Sequence, residues 1–113
     1  MMMAELKNNY YQSVYDITSL IPKGRVSTYG AIADYLSLGS ARMVGWALNQ
    51  VHTSGQDVPA HRVINRKGEL SGRMHFQTPT IMQEKLEAEG IEVVDHKVVY
   101  FKELNWHPEE IEF

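Results

Sequence analysis

A chain of 113 residues, 43% hydrophobic and 22% charged, has the size and composition of an ordinary globular domain. It contains no cysteine, which excludes disulfides, thiolate catalysis and cysteine-rich zinc sites. Because the sequence has neither a long apolar run nor a signal-like start, we expect no membrane span and a cytoplasmic location. We expect a single domain over residues 1–113, with a core at about 7–102 and an acidic tail at 103–113.

The net charge of −3 is unusual for a protein that binds DNA, but the charges are unevenly distributed. Residues 20–75 carry seven basic and three acidic side chains, whereas residues 76–113 carry three basic and nine acidic ones. This asymmetry is compatible with a DNA-binding segment between residues 20 and 75. Taken alone, it is equally compatible with the charge scatter of any small domain.

Two helices are predicted in the first forty residues. Apolar side chains recur at helical spacing over residues 10–21, and Pro22-Lys23-Gly24 ends that helix. Ser27 or Thr28 can cap a second, short helix, which Gly39 stops. The apolar positions of this second helix are Ile32, Ala33 and Leu36.

A third helix is predicted from Ser40, its cap, to Val51. Its apolar face is formed by Val44, Ala47, Leu48 and Val51. Two short helices joined by a tight turn at Gly39 indicate a helix-turn-helix, with the third helix as the recognition helix. A polar loop over residues 52–57 is expected to follow.

The second half predicts one more helix and a hairpin. The helix lies between Pro79 and Gly90 and is opened by a capping box of Thr80 and Gln83. Two β-rich runs, 91–94 and 98–101, flank Asp95-His96-Lys97 and predict a hairpin or wing. The expected fold is therefore mainly α (α+β), with a helix-turn-helix or winged-helix-like core and a short β-hairpin.

The segment Pro59-Ala60-His61-Arg62-Val63-Ile64 resembles the active-site signature of the O6-alkylguanine-DNA alkyltransferases, with Ala60 at the position of the alkyl-accepting cysteine. Residues 21–30 are similar to that family's entry into its helix-turn-helix, and residues 40–45 to its recognition helix. The run to Glu89-Gly90 resembles the segment that supplies a relay glutamate. These matches, in the right order, are closest to the alkyltransferase-like proteins, which lack the cysteine.

The resemblance implies a sensor of O6-alkylguanine that is not an enzyme, because an alanine methyl offers no lone pair for attack. Such a protein binds duplex DNA through the minor groove, flips the lesion into a pocket without the acceptor cysteine, and flags it for nucleotide excision repair. The expected partners are the damaged duplex and nucleotide excision repair proteins. We expect a monomer, with no cofactor and no metal.

The resemblance also assigns DNA-contacting residues. Arg42 matches the arginine that fills the space left by the flipped base, although it could instead contact a phosphate. Tyr29 matches a tyrosine that crowds the adjacent phosphate, or is simply an amphipathic residue at a helix start. The small residues Ala41 and Gly45 let the helix approach DNA closely, or serve close packing of helices. Trp46 departs from the small residue of the active enzymes and could belong either to the core or to the DNA surface.

The lesion pocket is assigned to Ala60, His61, Val63 and Arg73. Ala60 and Val63 correspond to residues whose carbonyls face the guanine. His61 and Glu89 match the proton relay of the active enzymes, and we expect them to be kept here as a structural hydrogen-bonded pair. Arg73 falls where those enzymes have a tyrosine that assists the leaving guanine. A guanidinium there can donate hydrogen bonds to the base or lie over its face, or Arg73 is simply a solvated loop residue beside Gly72.

Two other functions are compatible with parts of the sequence. A winged-helix regulator would use the third helix for sequence readout in the major groove, but Gly45 and Ala47 leave that helix few base-reading side chains. A glycosylase or hydrolase would use His61 and Glu89, but no nucleophile, carboxylate pair or metal site accompanies them.

Overall fold

The computed structural model describes the backbone of residues 2–111 and the side chains of residues 10–111. Its α-helices are α1 (Met2–Thr18), α2 (Tyr29–Tyr35), α3 (Ala41–Asn49), α4 (Val51–Ser54), α5 (Ile81–Ala88) and α6 (Phe101–Leu104). Short 3-10 turns lie at Ala60–Arg62, Arg73–His75 and Pro108–Glu110. Strand β1 (Ser27–Thr28) pairs in parallel with β2 (Val63–Ile64), and β3 (Val93–Val94) pairs antiparallel with β4 (Lys97–Val98). The predicted α+β fold is confirmed.

Two groups of buried side chains stabilise this arrangement. The first lies among α1, α2, α3 and the turn at residues 60–62, and its members include Val14, Ile32, Val44, Leu48, Ala60 and Trp106. The second lies around α5 and the β3–β4 hairpin, and its members include Ile64, Leu70, Met82, Leu86, Ile91 and Val98. Because Val63 and Ile64 are consecutive and belong to different clusters, β2 joins the two.

The predicted helix-turn-helix is formed by α2 and α3. Thr28, rather than Ser27, caps α2, since its hydroxyl accepts a hydrogen bond of 3.0 Å from the Ala31 amide. Ser27 lies buried in β1, and its hydroxyl has no partner among the described residues. Helix α2 ends at Tyr35, and Ser37, with a φ of 56°, turns the chain before the expected stop at Gly39.

Two further boundaries and one cap differ from the expectation. Helix α1 ends at Thr18, before Pro22, where the Thr18 and Ser19 hydroxyls donate to carbonyl oxygens four residues earlier. The recognition helix ends at Asn49, and Val51 begins the separate turn α4, so the expected loop at 52–57 is partly helical. Thr80 does not form the expected capping box; its hydroxyl donates to the Glu84 carboxylate instead.

The hairpin is shorter than its two β-rich runs suggested. Asp95 and His96 both have positive φ, 52° and 62°, and form a two-residue turn between β3 and β4. Lys97 therefore belongs to β4, and Phe101 begins α6.

The acidic segment after residue 102 is packed rather than extended. Trp106 is 4% exposed and lies in the first cluster, beyond the expected limit of the core. Its amide donates to the Val26 carbonyl oxygen at 2.6 Å, and Asn105 forms a parallel bridge with Val26. Among the described residues, no helix has both the length and the apolar character that a membrane crossing requires.

Candidate DNA interface

Tyrosine hydroxyls on α1 position α3. The Tyr10 hydroxyl donates to the Met43 carbonyl oxygen, and the Tyr15 hydroxyl donates to the Ala47 carbonyl oxygen at 2.7 Å. Val44 and Ala47 are completely buried against this side. The opposite side of α3 is left facing solvent.

That outer side forms an open groove of about 470 Å³. Its lining residues are Tyr29, Ala41, Arg42, Gly45, Trp46 and Asn49. The structure thus brings together, on one surface, all five residues that the sequence assigned to DNA. Asn49 also lines the groove, although the sequence did not assign it to DNA.

Arg42 and Trp46 lie one helical turn apart on this groove, so their side chains are neighbours. Arg42 is exposed and makes no hydrogen bond or ion pair with any described residue. Trp46 is 51% exposed, which removes the possibility that it belongs to the core. Both side chains are available to a partner.

Gly45 lies between them and serves no packing purpose within the described chain. A Cβ atom built on Gly45 would have no atom within 4 Å. Glycine in the middle of a helix costs roughly 0.5–1 kcal/mol relative to alanine. Close packing of helices therefore does not explain this glycine.

Tyr29 connects the groove to the loop before Arg73. Burial raises the pKa of Tyr29, partly opposed by a hydrogen bond with Ser71. A Cβ on Gly72 would lie only 2.6 Å from the Tyr29 hydroxyl oxygen, so glycine at 72 permits this close approach. Arg73 follows, half-buried, and its Nη1 donates to the Leu70 carbonyl oxygen at 3.1 Å.

The signature segment folds into two consecutive tight turns. Pro59, with φ −76° and ψ 63°, is the centre of an inverse γ-turn closed by a 2.8 Å bond from the Ala60 amide to the Val58 carbonyl oxygen. A 3-10 turn over Ala60–Arg62 follows, closed by the Arg62 amide on the Pro59 carbonyl oxygen at 3.0 Å. Ala60 and His61 are both buried by this arrangement.

His61 is held by Glu89, as the sequence predicted. The distance from His61 Nε2 to Glu89 Oε2 is 2.6 Å, and because a carboxylate only accepts, Nε2 carries the hydrogen. The Arg62 guanidinium also contacts Glu89, at 2.9–3.1 Å, and donates to the Ile21 carbonyl oxygen at 2.9 Å. The Gly24 amide completes the shell of Glu89 at 3.0 Å.

These contacts set the charge states of the network. Burial by itself would raise the pKa of the Glu89 carboxyl, but hydrogen bonds from Arg62, His61 and Gly24 outweigh it and lower that pKa to about 2. Burial lowers the pKa of His61, against the attraction of Glu89 and with the help of the Arg62 and Lys85 charges. At neutral pH Glu89 is therefore an anion and His61 a neutral hydrogen-bond donor.

A second cavity, of about 230 Å³, opens beside Ala60. Its apolar lining includes Val51, Val58, Ala60 and Phe76, and its polar lining includes His52, Gln56, Asp57, His61 and Lys85. Two residues assigned to the pocket are not part of this lining: the Val63 side chain is completely buried in β2, and Arg73 lies in the loop beside Tyr29. Ala60 and His61 are the assigned residues that line it.

Sequence reasoning missed Arg62 and Lys85. Arg62 stands inside the signature, and an arginine next to a buried histidine requires a buried acceptor, which was the available signal. Lys85 gave no signal, because its approach to the cavity depends on how α5 packs. Within the described residues, histidine and acidic side chains form no group of three that could hold a metal.

Comparison with known proteins places the chain in a family. Residues 9–91 match the family described as 6-O-methylguanine DNA methyltransferase, DNA binding domain. The chain is similar to alkyltransferase-like protein 1 of Schizosaccharomyces pombe, with 39% identity over 89% of this chain and 97% of that protein. It is also similar to the DNA base-flipping protein of Vibrio parahaemolyticus, with 36% identity over 89% and 99%.

A solved structure agrees with these matches. The crystal structure of S. pombe Atl1 in complex with damaged DNA containing O6-carboxymethylguanine superposes with a TM-score of 0.78. The two chains are 36% identical over 89% of this chain and 97% of that one. The chain therefore belongs to the 6-O-methylguanine DNA methyltransferase DNA-binding domain family and, within it, to the alkyltransferase-like proteins.

Proposed function

We propose that this protein binds O6-alkylguanine in duplex DNA, flips the lesion out of the helix and does not repair it. The observation that carries the proposal is Ala60. It lines a cavity, and the chain contains no cysteine at all. The resemblance of residues 59–64 to the family signature assigns Ala60 to the position of the alkyl-accepting cysteine. An alkyl group placed there meets a methyl group, which cannot attack it.

The outer groove of α3 is proposed to dock in the minor groove. Ala41 and Gly45 keep its surface flat, which permits close approach to the sugar edges. Arg42 then fills the vacancy left by the extruded base, for which it is suited because no described residue holds it elsewhere. Tyr29 crowds the neighbouring phosphate from the edge of the same groove.

The flipped base is proposed to lie between the Tyr29 side of the groove and the Ala60 turn. His61, fixed by Glu89, forms one wall of the pocket and moves no proton. Arg73 borders the Tyr29 side, and its guanidinium is proposed to lie over the base face or donate to its alkylated edge. The Ala60 and Val63 carbonyls are proposed to face the guanine edge.

A protein that binds the lesion without removing the alkyl group can contribute to repair only by recruiting other proteins. We propose that residues 1–113 act as one DNA-binding unit and as a monomer, and that bent DNA with an extruded base recruits nucleotide excision repair proteins. A winged-helix regulator is less well supported, since the β3–β4 hairpin packs in the second cluster whereas α3 belongs to the first.

One experiment tests both halves of the proposal. Fluorescence anisotropy compares a duplex containing one O6-methylguanine with the same duplex undamaged, and intact-mass spectrometry follows the protein over the incubation. We expect tighter binding of the damaged duplex and no change in protein mass, while an active alkyltransferase on the same duplex gains one methyl group. Equal affinities, or a stoichiometric methyl adduct on this protein, would overturn the proposal.

A further inference from the structure

The cavity beside Ala60 contains a positive charge for which neither the fold nor the proposed flipping step has a use. Lys85, on α5, lines this cavity. Its ammonium group is exposed and makes no hydrogen bond or ion pair with any described residue. The network around Glu89 does not include it, because Arg62 and His61 already occupy that carboxylate.

The cavity is divided between apolar and polar parts. Val51, Val58 and Phe76 can cover the carbon atoms of an alkyl group that passes Ala60. A purely apolar substituent leaves the polar lining without a partner, whereas a substituent with a polar end satisfies both parts.

The position of the Lys85 charge favours an O6 substituent that carries a negative charge. Asp57 also lines the cavity, so the formal charges of Lys85 and Asp57 cancel. They act at different places, however. Lys85 and His61 line the cavity together with Ala60, and the Lys85 charge is among the causes that shift the pKa of His61, whereas the Asp57 charge is not. A group that extends from Ala60 along His61 therefore meets the field of Lys85.

We infer that this cavity selects O6 substituents that end in a carboxylate, with the Lys85 ammonium as the counter-charge. This inference rests on the proposed function, because it places the O6 substituent beyond Ala60. The relative Atl1 was crystallised with DNA containing O6-carboxymethylguanine. What we assign to Lys85 is a preference for the charged group over a neutral group of the same shape.

The test uses two lesions that differ in charge alone. Duplexes carrying O6-carboxymethylguanine and O6-carbamoylmethylguanine have substituents of nearly equal size, one anionic and one neutral. An O6-methylguanine duplex and an undamaged duplex complete the set. The proteins are the full chain, Lys85→Gln, and Lys102→Gln, which removes an exposed lysine of α6 outside the cavity.

We expect the full chain and Lys102→Gln to bind the carboxymethyl lesion about fivefold more tightly than the carbamoylmethyl lesion, the scale of a partly exposed ion pair. Lys85→Gln should bind the two lesions equally and keep its affinity for O6-methylguanine. Higher salt should reduce the preference of the full chain.

Three results would overturn the inference. The first is equal binding of the two matched lesions to the full chain, and the second is a preference that survives in Lys85→Gln. The third is a uniform loss of affinity for all four duplexes in Lys85→Gln, which would make Lys85 a phosphate contact. In each of these cases a stronger affinity for O6-methylguanine than for undamaged DNA leaves the proposed function standing. Failure to discriminate any lesion would overturn the proposed function and, with it, this inference.

Discussion

Two arginines in this protein have opposite surroundings. Every side-chain nitrogen of Arg62 donates a hydrogen bond, three of the four bonds going to Glu89 and one to Ile21. Arg42 is exposed on α3 and donates to no described residue. The donors of Arg62 all form hydrogen bonds within the protein and hold the Ala60 turn in place, whereas the donors of Arg42 are available to a partner.

The two regions should therefore respond differently to mutation. Changes around Glu89 remove interactions that the folded chain already makes, so they should lower stability. Changes on the outer side of α3 remove only interactions with a partner, so they should alter DNA binding and leave stability unchanged or higher.

The largest effect is expected at Glu89. Glu89→Gln leaves the largely buried Arg62 guanidinium without a counter-charge and should lower the free energy of unfolding by about 3–5 kcal/mol. Urea unfolding followed by circular dichroism measures the change. Glu87→Gln, at an exposed position in the last turn of α5, just before Glu89, is the matched control. Equal stability of the two variants would show that the network contributes nothing.

Acid should act on the same network. Because the pKa of Glu89 is depressed to about 2, its contribution is complete above about pH 4.5 and is lost as the pH falls towards 2. The pKa of His61 is also lowered, so its contribution to the free energy of unfolding likewise decreases as the pH falls below the ordinary pKa of histidine. The Glu89 part amounts to about 3 kcal/mol, from the shift of its pKa. Urea unfolding at a series of pH values should show this slope in the wild type and much less of it in Glu89→Gln.

Arg42→Ala should have its effect on binding. Without the side chain that fills the vacancy, the flipped state loses roughly a few kcal/mol, so the preference for O6-methylguanine over undamaged DNA should nearly disappear. Anisotropy titrations measure both affinities, and Arg66→Ala, an exposed arginine outside the groove, is the control. A uniform loss on all duplexes would identify Arg42 as a phosphate contact.

Trp46 offers a smaller effect and a direct optical signal. Trp106 is buried and Trp46 half-exposed, so DNA binding should quench the fluorescence of Trp46 alone. Trp46→Phe should remove the quenching with little change in affinity, and Trp46→Ala should weaken binding by about 1 kcal/mol, the lower end of an aromatic contact to a base. Quenching that persists in Trp46→Phe would place Trp46 away from the DNA.

The smallest effect is expected at Gly45, where stability and DNA affinity should change in opposite directions. Gly45→Ala meets no atom of the protein and should raise the free energy of unfolding by about 0.5–1 kcal/mol. Urea unfolding checks the gain, and Gly45→Leu, tested by anisotropy, should weaken DNA binding because it obstructs the groove. Loss of stability in Gly45→Ala would indicate an internal role for this glycine.

Much of the fold was predictable because local rules decide it. The periodicity of residues 10–21 and the cap at Thr28 depend on neighbours in sequence. The pairing of His61 with Glu89 was predictable only through the family resemblance. The end of the recognition helix at Asn49 was not predictable, since no proline or glycine marks it.

Long-range packing limited the prediction of the site. Trp106 was placed in an acidic tail because the acidic composition of residues 103–113 predicts an exposed segment. The composition does not reveal the β-bridge between Asn105 and Val26 that holds this segment against the core. Arg73 was assigned to the lesion pocket by counting along the chain; it does not line the cavity beside Ala60, and its loop lies against Tyr29. Lys85 reaches the cavity through the packing of α5, which no local pattern encodes.

The burial of Trp106 has a consequence for how this protein is made. The first cluster is assembled from residues between Val14 and Val63, yet it is closed by an indole more than forty positions later in the chain. During synthesis the helix-turn-helix therefore emerges from the ribosome before its core can be sealed. Contacts of such high sequence separation form late and slowly, since chain closure costs entropy before it gains packing. The groove of α3 should thus reach its final shape only after residue 106 has been translated and can pack against the first cluster.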